Sequence, residues 1–290
     1  MSIASWIQKH THSLAGRTVA ISGATGGLGS VLCRHLVSLG ASLVLLDRNL
    51  QRSRALAERL RADFPALSVR HITVDLTDME SVKRAAEELL TLPIDYLILN
   101  AGAYSIPRCV CDTGYDNVYQ INFVAPYYLA RRLLPMLRAR GGRVVAVGSI
   151  AHDYSRTDPT DIDFRTRKKA SLVYGNAKRQ LMIALLAEVE HGGVAVTHPG
   201  ITFTNITAHY PKLVFALIKH PMKVIFMRPR KACLSILSGL FESHTAREWI
   251  GPRYFNIWGC PTRKALRTFT DEEAARVCAD AEHIYTELCK

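Results

Sequence analysis

The chain has 290 residues, 48% of them hydrophobic and 21% charged, with a formal net charge of +12. That balance excludes a disordered or low-complexity chain and predicts a sizeable core, with one large α/β domain within reach at this length. Seven cysteines, an odd number without any CxxC spacing, exclude a disulfide framework and predict reduced thiols; no metal site is expected.

Residues 1–16 read as an N-terminal extension. They lack a continuous apolar stretch, so no secretory signal is expected. No run approaches the ~18 apolar residues of a membrane span. A cytoplasmic location, or at most one peripheral to a membrane face, is expected.

From residue 17 to 290 the chain is expected to form one domain. A first strand at 17–22 runs into Ser22-Gly23-Ala24-Thr25-Gly26-Gly27-Leu28-Gly29 and then a helix at about 28–39. Glycines at a strand-to-helix turn let the backbone approach a pyrophosphate, whose charge the helix N-terminus stabilises. A second strand, Ser42–Asp47, ends on an acid that can accept hydrogen bonds from adenine-ribose hydroxyls and repel a 2′-phosphate; Arg48, next in sequence, could instead attract that phosphate. NAD is therefore the preferred cofactor on Asp47, with NADP the alternative on Arg48. A charged helix at 50–62, a strand at 68–74, a helix at 78–90 and a strand at 94–99 follow. Long helices at about 115–139 and 172–190, with strands Arg143–Val147 and Val194–Thr197, complete the alternation. Strand–helix alternation with uninterrupted apolar strands predicts a doubly wound parallel sheet, the Rossmann fold, with ligands at the carboxyl ends of the strands.

Tyr174 and Lys178 stand four apart near the start of the last long helix, on one face. An ammonium beside a phenol is expected to lower its pKa, giving a general acid/base for an alcohol–carbonyl couple.

Taken in order, Gly23-x-x-x-Gly27-x-Gly29, Asn100-Ala101-Gly102, Ser149 and Tyr174-x-x-x-Lys178 resemble the short-chain dehydrogenase/reductase family in its compact form. The resemblance implies that Ser22, Gly23, Gly27, Leu28 and Gly29 cradle the dinucleotide. It also implies that Asp75 and Leu76 meet adenine, that Asn100, Ala101 and Gly102 line the site, and that Pro199, Gly200 and Thr204 face the nicotinamide. As catalytic groups it implies Asn122, Ser149, Tyr174 and Lys178. Tyr174 would exchange the hydroxyl proton, Lys178 hold the nicotinamide ribose, Ser149 bind the substrate oxygen, and Asn122 sustain a water-linked path toward Lys178. The loop also fits Gly-x-x-Gly-x-x-Gly of longer nucleotide-sugar epimerases, but Asn100-Ala-Gly102 favours the compact form.

The 25-residue gap from Ser149 to Tyr174 and Thr197-His-Pro-Gly200 are similar to retinol-dehydrogenase-like members. Three departures accompany that likeness: Gly148 replaces a usual serine, Asp47 a usual small residue, and Arg165-Thr-Arg-Lys-Lys169 makes the insert basic. The subgroup implies a small lipophilic alcohol or carbonyl substrate, steroid-, retinoid- or long-chain-like. A homodimer through two long helices is expected by family analogy. A non-catalytic dinucleotide sensor is the alternative reading; such a sensor would not need Tyr174, Lys178 and Ser149 together.

Residues 211–267 hold eleven Lys/Arg against Glu242 and Glu248. No nucleic-acid recognition motif accompanies them, so no nucleic-acid partner is expected. In the family that the chain resembles, this region covers the substrate pocket. The apolar runs at 213–218 and 224–227 between cations are therefore expected to form a substrate lid over about 203–231, with peripheral contact to an anionic membrane as its outer role. The alternative is that the runs pack into the core beneath solvated cations.

Overall fold

A computed structural model of the protein describes residues 2–202 and 227–290. Its elements run α1 (Ile3–His10), β1 (Thr18–Ser22), α2 (Gly29–Ser38), β2 (Ser42–Asp47), α3 (Leu50–Asp63), β3 (Val69–Thr73), α4 (Met79–Leu90) and β4 (Tyr96–Leu99). A single turn, Asn117–Tyr119, and a π-helical stretch, Gln120–Val124, lead into α5 (Ala125–Ala139). Then follow β5 (Arg143–Val147), a 3-10 turn (Ile150–Tyr154), α6 (Ala170–Leu186), β6 (Val194–Thr197), α7 (Pro229–Phe241), β7 (Glu248–Tyr254), β8 (Trp258–Ala265) and α8 (Asp271–Leu288).

The strands form one eight-stranded sheet in the order β3-β2-β1-β4-β5-β6-β7-β8. Pairing is parallel through β7, whereas β8 turns back antiparallel on β7, so the sheet is doubly wound with an antiparallel edge. Alternate strand residues point to opposite faces, and both faces are covered. Ala20, Leu97, Val144 and Val196 join the core under α4, α5 and α6. Val19, Ile98, Val145 and Ala195 join the core under α2 and α7. The chain crosses over between β1 and β4, which opens a crevice at their carboxyl ends, the place where this architecture takes ligands.

The N-terminal residues are integral to the fold. Ser2 caps α1 by accepting from the Ser5 amide, and Trp6 and Leu14 are buried in the α2/α7 layer. The C-terminal helix α8 lies against α5 and α6. Arg131 on α5 pairs with both Glu188 and Glu282, and the Tyr128 and Tyr285 rings stand 5.7 Å apart. The chain's own C-terminal helix thus covers part of the two long helices through which a homodimer is expected by analogy.

All seven cysteines are unpaired. Among the described residues, no group of His, Cys, Asp and Glu is arranged to hold a metal, and no helix is long and apolar enough to cross a membrane. Thr204 and residues 203–226 of the anticipated lid lie outside the described residues. Met227, the last residue of the second apolar run, is buried and bridges Thr202, so it belongs to the packed interior.

Candidate active site

At the β1–α2 turn, Gly23 has φ +66°, and a Cβ there would stand 2.9 Å from Ala101 Cα. A Cβ on Gly29 would meet Gly23 O at 2.2 Å. Glycine is therefore the residue that lets this loop close against β4, and Leu28 leaves the first amides of α2 without a side-chain cap. Ser22 Oγ accepts from the amides of Asn100 and Ala101 at 3.1 Å each. The Asn100 side chain donates back to Ser22 O and Gly23 O at 3.0 and 3.1 Å. These four bonds lock the two lips of the crevice at a fixed separation.

Asp47 is 5% exposed. Its Oδ1 accepts from the amide and the hydroxyl of Thr25, at 3.0 and 2.9 Å, and so braces the glycine loop from below. Its Oδ2 is buried with no protein partner. A buried carboxylate oxygen without a donor is costly, and a ribose hydroxyl is the kind of group that would satisfy it. Arg48 is exposed and leans 3.8 Å from Asp75, whose Oδ1 is taken up by Thr77.

At the other end, Ser149 terminates β5 and caps the 3-10 turn by accepting from the Ala151 amide at 3.1 Å. Its hydroxyl also stands near enough to the Tyr174 phenol to favour the ionised form. Gly175 makes that approach feasible, since a Cβ there would lie 2.4 Å from Ala151 O. Gly148, one of the departures noted above, has a packing reason: a Cβ would meet Met182 Sδ at 2.7 Å. Lys178 is buried, donates to Val147 O at 3.0 Å and lies 5.9 Å from the Tyr174 ring centroid.

The expected lowering of the Tyr174 pKa is overturned. Burial pushes the phenol up to about 12, with Ser149 opposing and Tyr104 adding to the rise. Burial also draws Lys178 down to about 8. Desolvation wins because the ammonium is directed at a backbone carbonyl rather than at the phenol oxygen.

Asn122 is fully buried in the π-helical stretch, a local widening that recurs at functional sites. It donates to Ala103 O and Val118 O at 2.8 Å each and accepts from Ala103 N at 3.2 Å. Its amide thus holds the segment after Gly102; a Cβ on Gly102 would meet Asn122 Oδ1 at 2.9 Å and Lys178 Nζ at 3.6 Å. Asn122 stands behind the wall of the site rather than in it.

The two ends belong to one cavity of about 650 Å³. Of the residues expected from the sequence, Ser22, Gly23, Gly27, Leu28, Gly29, Asp47, Arg48, Asp75, Leu76, Asn100, Ala101, Gly102, Ser149, Tyr174, Lys178, Pro199 and Gly200 all line it. Of the lining residues that carried no expectation, four bear on the site. Thr25 is fixed by Asp47. Tyr104 sets its ring edge-on to Tyr174 at 5.4 Å. Tyr154 is 63% exposed at the rim. His198 stacks on Trp249 at 5.0 Å and is neutral, its pKa drawn by burial to about 4. Their common signal is proximity across the sheet, which spacing along the chain does not carry. The basic insert is balanced by its own acids: Arg165 pairs with Asp163, and Arg167 with Asp158.

A family model for short chain dehydrogenase matches residues 17–159. Polyprenol dehydrogenase of Mus musculus is 32% identical over 275 residues, covering 90% of this chain and 81% of that one. Retinol dehydrogenase 14 of Homo sapiens is 27% identical over 300 residues, covering 95% and 88%. Two short chain dehydrogenases of Aspergillus species are matched over only 42% and 64% of their lengths. Among solved structures, an uncharacterized protein of Mycobacterium Paratuberculosis superposes with a TM-score of 0.74 at 24% identity, over 99% of this chain and 97% of that one. The chain belongs to the short-chain dehydrogenase/reductase family, whose members bind NAD or NADP. Its likeness to retinol dehydrogenase 14 across nearly the whole chain agrees with the subgroup read from the motifs.

Proposed function

We propose that the protein is an NAD(P)-dependent oxidoreductase that passes a hydride between the nicotinamide and the carbinol or carbonyl carbon of a small lipophilic substrate. The observation that carries this reading is a single cavity with a glycine cradle at one end and the Ser149–Tyr174–Lys178 cluster at the other. The residues present fit a dinucleotide. Gly23 and Gly29 let the loop close against β4 where a Cβ would collide with Ala101 and Gly23 O, and Asp47 Oδ2 is a buried acceptor awaiting a donor. Bound there, the nicotinamide supplies or accepts the hydride.

The protein's own groups handle the oxygen. Tyr174, held as a neutral phenol, donates its proton to a carbonyl oxygen as the carbon is reduced, and regains one in the reverse direction. Ser149 hydrogen-bonds the same oxygen and stabilises charge developing on it. Lys178, buried below Tyr174, is the group that would hold the nicotinamide ribose. Asn122 acts by fixing the 102–103 backbone beside Lys178, a firmer basis for its part than a water-linked path. Ile150, Tyr104 and Tyr154 give the substrate end an apolar, aromatic lining, in keeping with a lipophilic alcohol, and relatives bear the names of polyprenol and retinol dehydrogenases.

NAD is the proposed cofactor. A 2′-phosphate would bring negative charge against a buried carboxylate, while Arg48 is turned toward Asp75. Asp47→Ala is expected to narrow the preference for NADH over NADPH by about tenfold, near the 1.4 kcal/mol of one repulsive contact. Fluorescence titration of both reduced cofactors measures it; tighter NADPH binding by the unaltered protein would reverse the assignment. The reaction itself is tested by a panel of hydrophobic alcohols, aldehydes and ketones, followed at 340 nm with both cofactors. Turnover with at least one pair is expected, and a silent panel from protein that binds dinucleotide would return the sensor reading.

A further inference from the structure

The β7–β8 hairpin ends in an exposed cluster of aromatic rings. Phe255 is 81% exposed, Tyr254 55% and Trp258 40%. The turn Tyr254–Ile257 is closed by Ile257 N donating to Tyr254 O at 2.9 Å, and its two central residues have φ 52° and 56°. Two successive positive φ values define the tight hairpin turn that asparagine and glycine adopt at little cost. Asn256 suits it; Phe255 does not, because its Cβ crowds the backbone in that region. The fold therefore tolerates a strained backbone in order to hold a large apolar ring out in solvent, where burial returns nothing.

The strain is held in place from the pocket side. Asn256 O lies 3.2 Å from His198 Nε2, its side-chain Oδ1 accepts from Lys264 Nζ at 2.6 Å, and Lys264 also donates to Pro252 O. A Cβ on Gly200 would meet Ile257 O at 3.0 Å and Met227 Cε at 2.9 Å. The aromatic tip and the residues leading into α7 thus pack against Gly200, which lines the substrate cavity. Both are basic. Between Trp249 and Thr270 there are four cations and no acid. Arg228, Arg230 and Arg253 are exposed and make no ion pair among the described residues.

We propose that this hairpin tip is a docking element for an anionic lipid surface. Phe255, flanked by Tyr254 and Trp258, enters the interfacial zone, and Arg253, Arg228 and Arg230 meet the lipid phosphates. Aromatic rings favour that zone because it wets their edges and buries their faces, and cations next to it gain from the anionic headgroups. A protein partner would have to match a small, convex, uniformly cationic tip, whereas a bilayer accepts one without shape complementarity. Docking here would set the cavity mouth against the membrane, where a lipophilic substrate dissolves. That purpose rests on the proposed activity, but the docking is measured without turnover.

Of three tryptophans, Trp6 and Trp249 are buried at 1% and 2% exposure, so Trp258 is the one that reports contact. The full chain is mixed with vesicles of phosphatidylcholine, or of phosphatidylcholine with phosphatidylserine, at low and high salt. The expected result is a blue-shifted emission, quenched by brominated acyl chains, on the anionic vesicles at low salt. Phe255→Gly is expected to lose at least about tenfold in vesicle affinity, while melting no lower than the unaltered protein because glycine relieves the strain. An unmoved emission overturns the proposal. So does equal binding by Phe255→Gly, or binding that ignores both salt and headgroup charge.

Discussion

Replacing Tyr174 with phenylalanine is expected to cut turnover by about 10²–10⁴ while cofactor affinity stays within about twofold. The substitution removes one oxygen and keeps the ring that packs against Tyr104 and lies above Lys178. What disappears is the proton that the substrate oxygen must gain or give up, together with the oxygen that stands near the Ser149 hydroxyl. In the unaltered protein the two directions should differ in pH dependence. Reduction draws on the phenol, which burial keeps protonated through the neutral range, so its rate should be flat there. Oxidation draws on the phenolate, so its rate should climb as pH rises toward the phenol's pKa. Steady-state rates of the purified variant, normalised to bound dinucleotide, check the first point. Turnover near that of the unaltered enzyme would remove Tyr174 from the chemistry.

The second large effect lies behind the site. Arg179 follows Lys178 on α6 and is 1% exposed, with every part of its guanidinium engaged. Nε and Nη2 grip the two Glu273 oxygens at 2.6 and 2.7 Å, Nη1 donates to His152 O at 3.0 Å, and Nη2 also donates to Thr268 O at 2.6 Å. His152 in turn contacts Ser149 O through Nδ1 at 2.6 Å. This one side chain therefore ties the Ser149 turn to α6 and α8. Glu273→Ala strands a buried cation and is expected to cost about 3–5 kcal/mol, roughly 10 °C in melting temperature. Glu282→Ala, at a half-exposed pair with Arg131, should cost no more than about 1 kcal/mol.

Burial alone would raise the Glu273 carboxyl, but the bonds from Arg179 and Thr157 outweigh it and hold its pKa below the usual value. Its contribution is therefore full above an unfolded pKa of about 4.3 and is lost as pH falls through the lower folded value. Thermal melts of both variants, repeated on Glu273→Gln from neutral to acid pH, read these effects. A Glu273→Ala melt indistinguishable from that of Glu282→Ala would show that the pair is a bystander.

The sheet was legible where strands are buried on both faces. Ser42–Asp47, Arg143–Val147 and Val194–Thr197 are apolar runs, and their bounds coincide with those read from the sequence. Strands β1, β3 and β4 end within two residues of expectation. The C-terminal third was not legible. Gly251 and Pro252 interrupt β7, and β8 is an edge strand with polar and charged residues along it, so neither shows a strand's pattern. Helix α1 sets Ile3, Trp6 and Ile7 on one face, but at eight residues it is too short for that pattern to stand out from a loop. Within the site, the family spacing located the glycine loop, Asn100 and the Tyr174–Lys178 pair. Spacing could not reveal that Asp47 spends one oxygen on Thr25, that His198 and Tyr104 line the cavity, or that Arg179 braces it from behind. Those contacts join segments 22, 70 and 94 residues apart in sequence, and the fold alone brings them together.

The central claim is that this cavity transfers a hydride, and following the hydrogen itself tests it most directly. Reduced dinucleotide carrying deuterium at both hydrogen positions of the nicotinamide C4 is incubated with the protein and a lipophilic aldehyde or ketone, and the alcohol is analysed by mass spectrometry. One deuterium is expected on the carbinol carbon of alcohol formed by the unaltered protein, with Tyr174→Phe forming it at least about a hundredfold more slowly. Alcohol that carries no deuterium, or no alcohol from protein saturated with the dinucleotide, would contradict that claim.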